Sequence, residues 1–286
     1  MGGNIRDTML IKCYNCGSHD NRFYASENGF TLVKCKECGL LFVDDPPSDQ
    51  EIMHAHSEGI HGGLEELKVT GSFSDMKVKR YANILEDFFG NGESLNGKTW
   101  LDIGCGHGEF LAALEKFGRG SIAAKGIEPN VYKQKSAKEK GLDVSYLDLN
   151  SHDGTYDIVS FLNVYSHLPD PPATILSWKS LLTPHGEFFL QTGDTADFES
   201  KDHFRPFYLP DHLSFASEKI VVNILERSGF EIVSLKKYPF LQLTLKALVK
   251  DLIKALLPNY TSQLKWLLKG KLYRQADMFI RARLKS

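Results

Sequence analysis

From Lys98 onward the chain alternates between two hydrophobic periods. Short apolar runs at residues 99–103, 121–127, 142–147, 156–161, 187–191 and 230–238 read as strands. Between them, residues 109–118, 130–140, 172–182 and 217–228 repeat apolar positions every three or four residues and read as helices. That order predicts an α/β architecture, an open and largely parallel sheet covered by helices. Ligands of such sheets bind beyond the carboxyl ends of the strands, where the strand order reverses. Upstream, residues 75–89 (DMKVKRYANILEDFF) form a clear amphipathic helical pattern. Pro46 and Pro47 mark a break before it.

The expected division is therefore a module over 1–48, a helical linker or lid over 49–95, a sheet domain over 96–240 and a basic C-terminal segment over 241–286. Within the linker, Gly59, Gly62 and Gly63 interrupt a helical pattern, so the stretch bearing His54, His56 and His61 reads as a mobile loop. Its spacing shows no carboxylate-supported metal geometry.

Composition narrows the class. The 286 residues are 42% hydrophobic and 24% charged, enough to bury a full core and exclude global disorder. A net charge of -2 gives no whole-chain basic field for holding DNA or RNA. The most apolar late stretch, 240–257, is broken by Lys246, Lys250, Asp251 and Lys254, unlike a spanning helix. The opening MGGNIRDTMLIK has no apolar signal-peptide core, and Arg6 stands where a myristoylated Gly2 would prefer Ser or Thr. A reducing cytoplasm is the expectation.

Four of the five cysteines form two CxxC pairs, Cys13/Cys16 and Cys35/Cys38. Each pair brings two thiolates to one ion from a single turn, and Gly17 and Gly39 permit the positive φ such turns need. Two knuckles complete a four-thiolate tetrahedron, the preferred site of Zn²⁺. The short strand patterns between them give zinc-ribbon spacing. With four cysteines the ion has no open position, so it folds the module and does not catalyse. Redox CxxC pairs are the alternative, but nothing here resembles their usual βαβ setting. His19 reads as a surface residue.

The informative chemistry is LDIGCGHGEF, residues 101–110. Asp102 precedes Gly104, Cys105, Gly106 and Gly108 at a strand end. A carboxylate there would repel a pyrophosphate and suit a cationic ligand, while the glycines let backbone approach the ligand closely. Glu128 ends the next strand, where doubly wound folds bind ribose hydroxyls. Together these suit a nucleoside with a positive, non-phosphate tail. The motif resembles the first motif of class I S-adenosylmethionine-dependent methyltransferases.

The resemblance implies a Rossmann-like, mostly parallel seven-stranded sheet, with ADMFIRARL at 276–284 as a last antiparallel strand and basic helices inserted before it. It also implies a cofactor site. Gly104, Gly106 and Gly108 pass the methionine end, with Cys105 a compact packing residue among them. Glu128 with Pro129 binds the ribose, Asp148 with Leu149 the adenine, and Asn163 lies near the methionine part. NVYSHLPDP and LLTPHGEFFLQTGD resemble later family segments. In them Ser166 replaces a common Glu and His185 a common Gly.

The zinc module and PDHLSFASEKIVVNILERSGF resemble bacterial sugar and surface-polysaccharide methyltransferases. Related C-methyltransferases carry a further large C-terminal domain for which this chain has no room. The leading expectation is therefore O-methylation of a sugar hydroxyl, free, nucleotide-linked or in a glycan. A hydroxyl acceptor benefits from a base, and histidine suits neutral pH. His167 and His212 are the candidates, and packing or backbone hydrogen bonding is the alternative for each. His107, inside the glycine loop, reads as structural. The run 201–208 mixes aromatics and cations, fitting either a sugar and phosphate or a packed lid.

Residues 241–286 carry ten Lys/Arg and two Asp. Their amphipathic helical patterns read first as a solvated face, with contact to anionic lipid or an acidic partner as the alternative. Two other functions stay open: an RNA methyltransferase gripping RNA through its zinc module, and a non-catalytic zinc-dependent interaction protein. A near-neutral ribbon without a stacking platform argues against RNA, and intact cofactor positions argue against the third.

Overall fold

The computed structural model describes residues 11–59, 71–146, 154–203, 205–239, 249 and 276–285. Asp148, Leu149, His61, Phe204 and nearly all of the basic segment at 241–275 lie outside the described residues.

Two sheets organise the chain. The small one is wholly antiparallel and begins with β1 (Asn21–Glu27), β2 (Phe30–Cys35) and β3 (Leu41–Val43). A fourth strand, β9 (Ser214–Phe215), arrives from far downstream and pairs with β3 through Leu41↔Phe215 and Phe42↔Ser214. The large sheet comprises β4 (Thr99–Ile103), β5 (Ala123–Glu128), β6 (Val144–Tyr146), β7 (Tyr156–Leu162), β8 (Leu182–Gly193), β10 (Phe230–Tyr238) and β11 (Asp277–Leu284). Its order is β10-β11-β8-β7-β4-β5-β6, parallel from β8 to β6 and antiparallel around β11. This is the expected seven-stranded sheet. The chain leaves β4 toward β5 and β6, then returns to β7 on its other side, so the switch point lies between β4 and β7.

Alternation along the strands divides the core in two. On one face Trp100 lies among Phe89, Phe110 and Phe189, with ring centroids 5.6, 5.7 and 6.0 Å away. This face is covered by α2 (Asp75–Phe89) and α3 (Glu109–Gly118). On the other, Leu101, Ile103, Val159, Phe161 and Phe188 join one continuous core with Leu32, Leu41 and Phe42 of the small sheet. The cysteine module is therefore built into the larger domain. Arg227, on α6 (Glu218–Arg227), reinforces the join by donating to the Asn15 carbonyl and side chain at 3.0 and 2.7 Å.

One expectation of irregular backbone is corrected. Residues 49–58, which carry His54 and His56, form α1 (Asp49–Glu58). Ser48 and Glu51 make a reciprocal capping box, and Gly59, at φ 71°, ends the helix in place of breaking it. The remaining helices, α4 (Val131–Lys138) and α5 (Pro171–Trp178), lie where the pattern predicted, although α5 stops earlier. Among the described residues no helix is long and apolar enough to cross a membrane.

Candidate functional site

At the carboxyl end of β4 the backbone turns sharply through Gly104–Gly108 into α3. The Gly104 and Cys105 amides both donate to the Ile127 carbonyl, at 2.8 and 3.2 Å, pinning the turn to β5. The glycines have distinct duties. A Cβ on Gly108 would lie 2.4 Å from Leu142 Cδ1, and one on Gly104 2.6 Å from Val164 Cγ2. At Gly106 a Cβ would meet nothing within 4 Å, so bare backbone there faces open space. Gly108 caps α3 without a side-chain hydrogen bond. The first amides of α3 therefore lack a side-chain cap, and a helix N-terminus of this kind favours an anion such as a carboxylate.

Glu128 closes the next side and is only 4% exposed. Its Oε2 accepts from Gly106 N–H at 2.8 Å and its Oε1 from Asn130 N–H at 3.0 Å. Each oxygen keeps a second lone pair for a hydroxyl. Pro129 is buried beside it. Asn130 caps α4 through its side-chain oxygen, and its Nδ2 reaches the His56 and Ser57 carbonyls at 3.3 and 3.1 Å. It thereby seats the end of α1 beside Glu128. Asn163 is exposed just past β7, at φ 59°. Asn tolerates this left-handed backbone better than most side chains.

Asp102 stands next to last in β4, at the strand end as expected, 1% exposed and opposite Ser160 of β7, whose hydroxyl donates to Oδ1. Trp100 Nε1 donates in turn to Ser160 Oγ at 2.9 Å. Burial raises the Asp102 carboxyl to about 7, further raised by the Glu128 charge and opposed by the Ser160 hydrogen bond. The carboxyl is thus buried at the strand end with its basicity raised, and its hydrogen bond from Ser160 ties two strands together. Cys105 is likewise buried, its thiol pushed up by burial, and packs where a Cβ on Gly126 would touch it.

A second cluster of polar side chains beyond the sheet end is assembled from three distant segments. His167 ends a 3-10 turn (Tyr165–His167) four residues beyond Asn163. Its Nδ1 lies 2.8 Å from the Asp211 carbonyl and 3.4 Å from Asp211 Oδ1. The ring of His212 is 4.9 Å from that of His167, and the ring of His56 is 5.7 Å away on another side. Both predicted histidines therefore meet at one place. With Nδ1–H donated to Asp211, the basic lone pair of His167 is on Nε2. Burial alone would lower the basicity of His167, but the Asp211 charge and hydrogen bonds outweigh it and raise the imidazole above its ordinary value. The donor atoms of His56, His167 and Asp211 lie within 4.8 Å of one another. Such a set can relay a proton or hold a divalent cation; the formed hydrogen bond to Asp211 favours the first. His54 is exposed and takes no part.

Sequence reasoning passed over Asp211 and Asn130, although the pair Asp211-His212 and the helix-capping position of Asn130 after Glu128-Pro129 were visible signals. It noticed His56 beside His54 and His61 as possible metal ligands but set the three aside as part of a mobile loop.

The small sheet holds this side in place. Glu27, at the end of β1, accepts from the Phe207 and Leu209 amides at 2.9 and 3.1 Å. Asn28 Nδ2 donates to the Leu209 carbonyl at 2.8 Å, and Val43 N–H to Leu213 at 2.9 Å. In the run 201–208, Phe207 is buried against Tyr24 and Phe215, while Arg205 and Tyr208 are exposed. Phe207 thus packs this run against the small sheet.

In the module, Cys13 and Cys38 sulfurs lie 3.6 Å apart, Cys16 and Cys35 3.5 Å, and all four within 4.8 Å. None is in a disulfide. Four thiolates at the usual zinc–sulfur distance would be about 3.8 Å apart, so the set fits zinc. Gly17 and Gly39 take φ of 79° and 81° and donate their amides back to the Cys13 and Cys35 carbonyls. His19 is exposed.

The model of a methyltransferase-domain family matches residues 74–235. A ubiquinone biosynthesis O-methyltransferase of Pectobacterium atrosepticum is 31% identical over 107 residues, 35% of this chain and 44% of that protein. The chain thus spans less than half the length of that curated relative. Magnesium protoporphyrin IX methyltransferase from Synechocystis, solved with bound S-adenosylmethionine, superposes with a TM-score of 0.50 at 15% identity. The match covers 84% of this chain and 98% of that one. A [4+2]-cyclase superposes with a TM-score of 0.52 at 16% identity, covering 84% and 97%. The second likeness shows that this fold alone does not name a reaction. The family model spans more than half of the sequence and the whole glycine loop: the chain belongs to the methyltransferase-domain family.

Proposed function

We propose that this protein is an S-adenosylmethionine-dependent O-methyltransferase acting on a sugar hydroxyl, with a structural zinc ion in its four-cysteine module. The observation that carries the reading is the convergence of His167, His212 and Asp211 beyond the switch point that holds the glycine loop. When bound, S-adenosylmethionine supplies an electrophilic methyl on a sulfonium whose departure as a neutral thioether needs no acid. The residues present fit it: Glu128 for ribose hydroxyls, bare Gly106 for close approach, and the α3 amides for a carboxylate. Cys13, Cys16, Cys35 and Cys38 would hold the zinc, which has no part in the chemistry.

On the acceptor side, His167 Nε2 takes the hydroxyl proton as the oxygen attacks. Asp211 orients the imidazole and stabilises the imidazolium that forms. His212 is fixed through Nδ1, 2.9 Å from the Phe207 carbonyl, and offers a second polar contact for the acceptor. Alignment of oxygen, methyl and sulfur supplies much of the rate. The O-methyltransferase relative supports oxygen as the atom methylated, and the sequence resemblance supports a sugar.

Calorimetry with the donor and its demethylated product tests the cofactor, and labelled methyl transfer to a panel of sugars and glycosides tests the acceptor. His167→Gln should keep donor binding and lower turnover by about 10²–10⁴-fold. Failure to bind either cofactor form, or full turnover in the variant, refutes the reading.

A further inference from the structure

A cleft of about 470 Å³ opens between the cysteine module, α1 and the loop at 210–211. We infer that this cleft is the acceptor subsite and that it selects an uncharged or cationic hydroxylated ring over a phosphorylated one. The inference rests on the O-methyl-transfer reading and narrows its acceptor.

Three observations carry it. First, position: His56 and Asp211 line the cleft and also contact His167, so the proposed base stands directly behind the cleft wall. Second, charge: Asp45, Glu51 and Asp211 face it, and among the described lining residues there is no Lys or Arg. Glu51 is held by its capping hydrogen bonds to Ser48, so that carboxylate stays fixed in the wall. A phosphate here would stand within the Debye length of about 8 Å of three like charges. Carboxylates accept hydrogen bonds from hydroxyls and ammonium groups alike. Third, shape: Phe30, Pro46, Pro47 and Ile52 supply apolar faces for the carbon face of a ring. The volume lies within the range of small-molecule pockets. Phe30 opens β2, and Asp45–Pro47 follow β3. Four of the ten described lining residues therefore come from the cysteine module itself, which makes that module a substrate-recognition element as well as a folded support.

The test uses zinc-loaded protein saturated with S-adenosylhomocysteine, probed by saturation-transfer NMR with glucosamine, methyl glucoside and glucose 6-phosphate. Glucosamine and methyl glucoside should bind, with the phosphate at least about tenfold weaker. Asp45→Lys, at an exposed position, should weaken glucosamine and improve glucose 6-phosphate without changing S-adenosylhomocysteine affinity. Ala55→Trp should fill the cleft and remove sugar binding with the same cofactor affinity. Equal or tighter binding of the phosphate, sugar binding that survives Ala55→Trp, or no binding of any probe to the cofactor-loaded protein overturns the inference. Loss of S-adenosylhomocysteine binding in the wild type overturns the methyl-transfer reading itself, and this inference with it.

Discussion

The cysteine module is joined to the 207–215 segment by a shared core, by strand pairing and by side-chain hydrogen bonds, and Glu27 makes two of the last. Its carboxylate accepts from the Phe207 and Leu209 amides at 2.9 and 3.1 Å. The held segment continues directly into Asp211 and His212. A hydrogen bond to a charged acceptor contributes about 1.5–3 kcal/mol when dry. Glu27 is half-buried, which roughly halves each contribution, so Glu27→Ala should loosen the segment by about 2 kcal/mol. At about 1.4 kcal/mol per factor of ten, that is roughly a 30-fold rise in the open fraction of residues 207–213. Amide exchange followed by mass spectrometry reads this directly, with no acceptor required. Protection at Phe207, Leu209 and Leu213 should fall by about that factor, while exchange around β4, zinc content and S-adenosylmethionine affinity hold steady. With a methyl acceptor in hand, kcat/KM should fall through misplacement of His212. Exchange in 207–213 that changes less than about threefold, or that changes equally around β4, would show that the module does not position the loop.

Zinc removal should act beyond the module. Leu32, Leu41 and Phe42 share a core with Phe207, Leu209 and Ala216. Chelation under reducing conditions should therefore lower Tm and deprotect 207–215 together with the module; deprotection confined to residues 11–43 would refute the shared core. Asp211→Asn should shift the acid limb of the pH–rate profile. His167 is raised above its usual value because the Asp211 charge and hydrogen bonds outweigh burial. Without the charge burial dominates, and the limb should move to lower pH. The stability from charged His167 is fully present below its unfolded value and lost as pH rises through the raised folded value. In the variant that component should vanish from Tm measured against pH; an unmoved limb would remove His167 as the base. Gly106→Ala and Gly108→Ala should separate ligand contact from packing. The Gly108 variant should lose about 3 kcal/mol of stability in denaturant titration, from left-handed backbone and the clash with Leu142. The Gly106 variant should lose only about 1 kcal/mol but bind S-adenosylmethionine at least about tenfold more weakly. The reverse order would refute the placement of the cofactor.

Much of this protein was legible along the chain because local chemistry encodes it. Apolar runs mark most strands of the large sheet, and a helix lying on the sheet reads as a stripe, so six of its seven strands and α2 were visible, while β11 was expected from the family resemblance. Each CxxC turn is local, and two of them specify a four-thiolate cluster. His185, which stands where the resembled family has Gly, does take a left-handed φ of 63° where β8 departs from its register with β7. The capping box Ser48–Glu51 was also present in the sequence, yet the nearby glycines obscured it. What tertiary structure alone decided is which distant surfaces meet. The burial of Asp102 depends on Ser160 in the next strand. The two-residue β9 has too little pattern to be seen before β3 offers it an edge. The meeting of His56, His167 and His212 depends on a helix, a 3-10 turn and a loop converging over one sheet end. Periodicity reports the environment of a residue relative to its own neighbours; partners far away in sequence are selected by packing, and only the folded chain expresses that selection.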